Sequence, residues 1–169
     1  MKKLMIVLLI TVMGISVTHA QVNISEAKAK FIYNFTKFFD WPQSKQNGQF
    51  IIGVYKEDKV FYQLEDFTKG KTVNMQQISV KRFRKADQVT DCHILFVSKY
   101  GINDLPAIDN KMGSKTLLIS DSDQGIDQGA TLNFILSGNR LSYEFAPSHA
   151  TDKGLKFSSR IRDMAAKNY

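Results

Sequence analysis

Cys92 and His93 stand side by side in an apolar run, and His149 is the only other imidazole beyond residue 20. Neighbours on an extended strand point to opposite faces, and zinc takes three or four protein ligands, so this pair cannot share one ion. The residues read as a buried thiol acting as a small hydrophobe and two histidines that are packed or solvated singly. An intermolecular disulfide or a nucleophilic Cys92 is the sharper alternative, but no neighbouring base is visible for it, since the adjacent His93 points to the opposite face. Asp121-Ser122-Asp123-Gln124-Gly125-Ile126-Asp127 has the acid density of a calcium loop. Its Gly comes one residue early for an EF-hand and the closing Glu is missing, so turn formation accounts for it better. Gly48 and Gly53 have Walker spacing, yet Val54 and Tyr55 follow where Lys and Ser or Thr are needed. No dinucleotide fingerprint and no Gly-x-Ser-x-Gly elbow occurs. We therefore expect no catalytic set, no metal site and no cofactor. Lys81-Arg82-Phe83-Arg84-Lys85 packs four cations around one ring. It is either a solvated strand end, the usual fate of such a run, or a contact for anionic headgroups or an acidic protein.

The elements that position these residues follow from periodicity. Asn23 and Glu26 form a capping pair ahead of a helical stripe at Ala27, Phe31, Ile32, Phe35, Phe38 and Phe39, which Trp41-Pro42 ends. Phe50–Tyr55, Val73–Phe83, Cys92–Ser98 and Lys115–Ser120 read as strands, and Val60–Phe67 and Ile102–Met112 as helices. Strands apolar on both faces, alternating with amphipathic segments, indicate a parallel sheet covered by helices. Leu132, Phe134 and Leu136 then alternate towards Ser137-Gly138-Asn139, and Leu141, Tyr143 and Phe145 alternate away from it, which is a hairpin. A short helical turn between Pro147 and Gly154 and a last helix carrying Phe157, Ile161, Met164 and Ala165 complete the chain. The fold class expected is α/β, a mostly parallel, helix-covered, Rossmann-like open sheet with a C-terminal antiparallel hairpin. The loop after Ser120 follows the carboxyl end of a strand, where ligands enter such sheets, so it is the first place to look for a small-molecule site.

Residues 1–20 read differently from the rest. Lys2-Lys3 precede an apolar run from Leu4 to Val17, and Thr18-His19-Ala20 offers small residues for cleavage: a secretory signal peptide. The run is short for a membrane span and no Cys follows for lipid attachment. Residues 21–169 then form one exported domain, most simply in a bacterial periplasm, which removes nucleic acid from the partners that a net charge of +7 suggests.

Four segments carry a resemblance. Ala29–Pro42 (AKFIYNFTKFFDWP), Cys92–Ser98 (CHILFVS), Leu118–Phe134 (LISDSDQGIDQGATLNF) and Gly154–Ile161 (GLKFSSRI) are similar, in order, to motifs of the YfiR family of periplasmic proteins. The resemblance implies an α/β fold, export and regulation without catalysis. Such proteins are dimeric repressors that bind the periplasmic domain of an inner-membrane diguanylate cyclase or a related sensor, and an outer-membrane lipoprotein relieves the repression. Trp41, Asp121, Asp123, Ser158, Ser159 and Arg160 stand in these motifs and are the candidate binding residues; caps and turns account for most of them equally well. Family members stabilised by disulfides carry paired Cys, so redox control does not carry over to a chain with Cys92 alone. The alternative expectation is a periplasmic small-molecule binding module whose pocket lies near the Asp121–Gly129 loop and Trp41. An enzyme using Asp121, Asp123, His93 or Cys92 ranks below both.

Overall fold

The computed structural model describes residues 23–113 and 115–169. The signal peptide read at residues 1–20 lies outside them.

Asn23 accepts the backbone N–H of Glu26 at 3.2 Å and so caps α1, Ile24–Phe35. The Glu26 carboxylate does not close the capping pair; it takes Lys30 Nζ at 2.6 Å, one turn on. The helix also stops four residues earlier than the apolar stripe does. Phe39–Asp40 instead forms β1. Then come β2 (Phe50–Tyr55), α2 (Asp58–Thr68), β3 (Thr72–Val73), β4 (Gln76–Phe83), β5 (Ile94–Val97), α3 (Leu105–Met112) and β6 (Leu117–Ser120). The chain ends with β7 (Leu132–Ser137), β8 (Arg140–Phe145), α4 (Pro147–Asp152), β9 (Lys156–Phe157), α5 (Ser159–Asp163) and β10 (Lys167–Asn168).

β1 and β9 pair antiparallel, Phe39 opposite Phe157. The other strands form one sheet in the order β10-β8-β7-β6-β5-β2-β4-β3. From β4 to β7 every neighbouring pair is parallel, and β8 turns back on β7. The expected fold class is therefore the observed one. The two-residue side-chain period sorts each central strand between two cores. Ile94, Phe96, Leu117 and Ile119 face α1 and α2, where Ile32, Phe35, Val60 and Leu64 meet them. Leu95, Val97 and Leu118 face α3 through Leu105 and Ile108.

Three expectations need correction. Val73–Phe83 is two strands, because Asn74 and Met75 both take positive φ (47° and 67°) and reverse the chain. The final helix is only five residues long. Phe157 is claimed by Phe39 across β1 and β9, and Ala166 N–H already donates to Tyr143 O at the sheet edge. In the hairpin, Leu132, Phe134, Tyr143 and Phe145 are buried as the alternation implies, but the outer pair Leu136–Leu141 is not. β6 reaches only to Asn133 of β7, so the hairpin tip projects past the sheet.

Candidate functional site

Trp41 belongs to the core. It is 4% exposed, its ring stands edge-on to Phe50 at 4.9 Å, and Nε1 donates to His93 O at 3.0 Å. His93 stacks on Phe50 at 4.3 Å and is fully committed. Ile51 N–H donates to Nδ1 (3.0 Å) and Nε2 donates to Lys45 O (2.7 Å), which fixes a neutral tautomer. Burial pulls its pKa below the ordinary 6.5. On the other face of the sheet, Cys92 is buried and its thiol is pushed up to about 12 by desolvation, with Asp91 adding to the effect. It is protonated at neutral pH and so not a nucleophile. Among the described residues no group of three or more His, Cys, Asp or Glu could hold a metal ion.

Asp121 and Asp123 sit at the carboxyl end of β6, on a groove of about 870 Å³. Asp121 is a structural tie: Lys28 of α1 ion-pairs with one of its oxygens, and Lys99 N–H donates to the other at 2.6 Å. Asp123 is exposed on the same groove, which Lys59, Lys99, Tyr100, Phe134 and Leu136 also line. The loop's two glycines serve different ends: a Cβ on Gly125 would lie 2.3 Å from Asn133 Oδ1, whereas Gly129 takes a positive φ of 102°. Trp41 does not line this groove. It bonds to His93 at the amino end of β5, whereas Asp121 follows the carboxyl end of the parallel β6. The expected shared pocket of Trp41 and the Asp121–Gly129 loop is thus corrected.

Ser158 caps α5, its hydroxyl accepting Arg160 N–H at 3.4 Å, and Ser158 N–H donates to Phe38 O at 2.9 Å. Ser159 and Arg160 are exposed, and among the described residues no hydrogen bond or ion pair engages the Arg160 guanidinium. The basic run is partly neutralised: Asp58 faces Arg84 at 2.9 Å and Arg82 at 3.5 Å, while Arg82 lies over the Phe61 ring.

Sequence reasoning missed a second groove, of about 570 Å³, between α1 and β8. The apolar stripe of α1 is wider than the core requires. Ile32 and Phe35 are buried, whereas Ala27, Phe31 and Phe38 are half-buried and floor this groove with Leu141. Met164, just past α5, also lines it and is 53% exposed. Lys30, Lys37 and Arg140 rim it. The signal was the width of the stripe; the residues that complete the groove lie over a hundred positions away.

Fold and grooves together define a helix-covered α/β scaffold that spends its potentially reactive groups on its own interior and presents concave surface outside. Residues 25–166 match the model of the YfiR/HmsC-like family. The chain belongs to that family, one of periplasmic regulators associated with cyclic-di-GMP signalling, regulatory and not catalytic in character. A search of curated proteins finds no match for the chain. No helix among the described residues is long and apolar enough to cross a membrane.

Proposed function

We propose that the chain is a periplasmic signalling adaptor that represses an inner-membrane receptor, a diguanylate cyclase, by binding its periplasmic domain. It works as a homodimer, and an outer-membrane lipoprotein withdraws it. The observation that carries this reading is where the motif residues are spent: His93, Cys92, Trp41 and Asp121 are bonded or packed inside the fold, leaving surfaces to act. Family membership supplies the kind of partner. Repression needs only unequal affinity for two receptor states; moving a receptor from 1% to 99% inactive takes about 5.5 kcal/mol of differential binding. An interface of roughly 1,600 Å² with a few anchors can provide it. The test is capture from gently solubilised membranes on the tagged full chain. A cyclase or sensor should be recovered, and Arg160→Ala should reduce recovery about tenfold while the melting temperature stays put, as exposed substitutions usually change stability by no more than about 0.5 kcal/mol. Recovery of no membrane receptor ends the adaptor reading.

A second reading, a periplasmic small-molecule binding module, is favoured by the groove at the carboxyl edge of the sheet that Asp121 and Asp123 line. A ligand at a hundred times its dissociation constant adds about 2.7 kcal/mol of stability, so thermal-shift screening decides it. A flat response across amino acids, nucleotides and organic acids removes this reading.

A further inference from the structure

The groove between α1 and β8 combines three properties. Its floor is apolar: Phe31, Phe38 and Leu141 are only half-buried against the core, and Met164 is more than half exposed. Its rim carries Lys30, Lys37 and Arg140, and no acidic residue lines it. Its α1 wall repeats at Ala27, Lys30, Phe31 and Asn34, the spacing of one helix face, and Phe38 in the turn after α1 extends it. Lys30 is tied to Glu26 of its own helix at 2.6 Å, whereas among the described residues no carboxylate pairs with Lys37 or Arg140. Leaving this much apolar surface beside two unneutralised cations stabilises nothing in the isolated chain. It suits an occupant that brings carboxylates.

Resting on the adaptor reading above, we infer that this groove docks an acidic amphipathic helix of the partner. Its apolar face seats over Phe31, Phe38 and Leu141, and its carboxylates meet Lys37 and Arg140. A helix is favoured over an added strand because β10 and Ala166 take the β8 edge from Tyr143 to Phe145 and leave only the three residues Arg140–Ser142 open, short for a paired strand. Ala166 N–H bonds Tyr143 O at 2.8 Å, and β10 pairs with Glu144 and Phe145. From Ala27 to Phe35 the α1 wall is about 12 Å long, room for roughly two turns of a partner helix presenting residues at i, i+3, i+4 and i+7. A second copy of this chain is disfavoured, because a two-fold contact through the groove sets Lys37 and Arg140 of each copy against those of the other.

The probe is a synthetic helical peptide with Leu at i, i+3, i+4 and i+7 and Glu elsewhere, compared with an isomer of equal composition whose Leu are scattered. Fluorescence anisotropy reads binding to the full chain. The amphipathic peptide should bind about tenfold or more tightly than its isomer, and binding should weaken by at least about tenfold in Lys37→Glu/Arg140→Glu and in Met164→Glu. All three positions are exposed, so unchanged melting temperatures verify the fold of the variants. Equal binding of the two peptides, or binding insensitive to these variants, overturns the inference. So does binding to anionic vesicles that the same variants abolish while neither peptide binds, or a homodimer that they dissociate. If the variants still capture a membrane receptor as well as the parent chain does, the adaptor reading survives and the groove is not its surface. If the peptide binds as stated but no receptor is captured, the adaptor reading fails and the groove serves another acidic helix.

Discussion

His93 shows how a residue type that suggests chemistry is instead consumed by the fold. Its Nδ1 faces a backbone N–H and its Nε2 a backbone carbonyl, so a second proton would set two donors against each other. Burial lowers its pKa from 6.5 in the folded state, while the unfolded state keeps the ordinary value. Below pH 6.5 the unfolded chain therefore binds the extra proton first, and the His93 contribution, fully present above that pH, declines as the solution is acidified. Between about pH 7.5 and about pH 5.5, above the carboxylate range, the melting temperature should fall for the parent chain and fall less for His93→Gln. That variant should also lose about 1–3 kcal/mol at the upper pH by disturbing buried hydrogen bonds. Parallel melting curves for the two chains would show that another group titrates there. That His93 and Cys92 point to opposite faces was legible in the sequence, because adjacent strand residues must do so. That Trp41 donates to His93 O was not, since the two are 52 positions apart.

The elements were legible where hydrophobic period and length agreed. β2, β5, α2, α3 and the β7–β8 hairpin all appear where the pattern puts them. They were misread where a short segment is decided by its neighbours: β1, β9 and β10 have two residues each, and pairing partners alone make them strands. Gly53 belongs to this scale. In mid-strand a glycine ordinarily weakens pairing, yet here a Cβ would stand 2.8 Å from Leu95 Cδ1 and 2.9 Å from both Cys92 Sγ and Phe83 Cε2. Side chains of β4, of β5 and of the segment leading into β5 converge on that gap. Gly53→Ala should cost about 1–3 kcal/mol through overpacking, read as a lower urea midpoint at unchanged slope. An unchanged midpoint would mean that the neighbours yield without cost, and the gap would then be incidental.

At the scale of the molecule, the amino-terminal and carboxyl-terminal segments close on each other. Phe39 packs against Phe145 and Phe157, and Tyr143 OH donates to Ile161 O at 2.8 Å. We propose that residues 21–169 are one cooperative unit, so Trp41 fluorescence and far-ultraviolet circular dichroism should report superimposable urea transitions. Two separated transitions would divide the chain into units that fold apart. The amino-acid sequence by itself determined the α/β class, the parallel strands and the hairpin, because these follow from side-chain period and turn chemistry, which act over a few residues. It also carried the family motifs in their order. Only the tertiary structure decided that Trp41 and Asp121 lie towards opposite ends of the parallel strands, and that the surplus apolar face of α1 meets Leu141, Arg140 and Met164 in a cation-rimmed groove. Those placements depend on which distant segments compete for the same surface, and local periodicity carries no record of that competition.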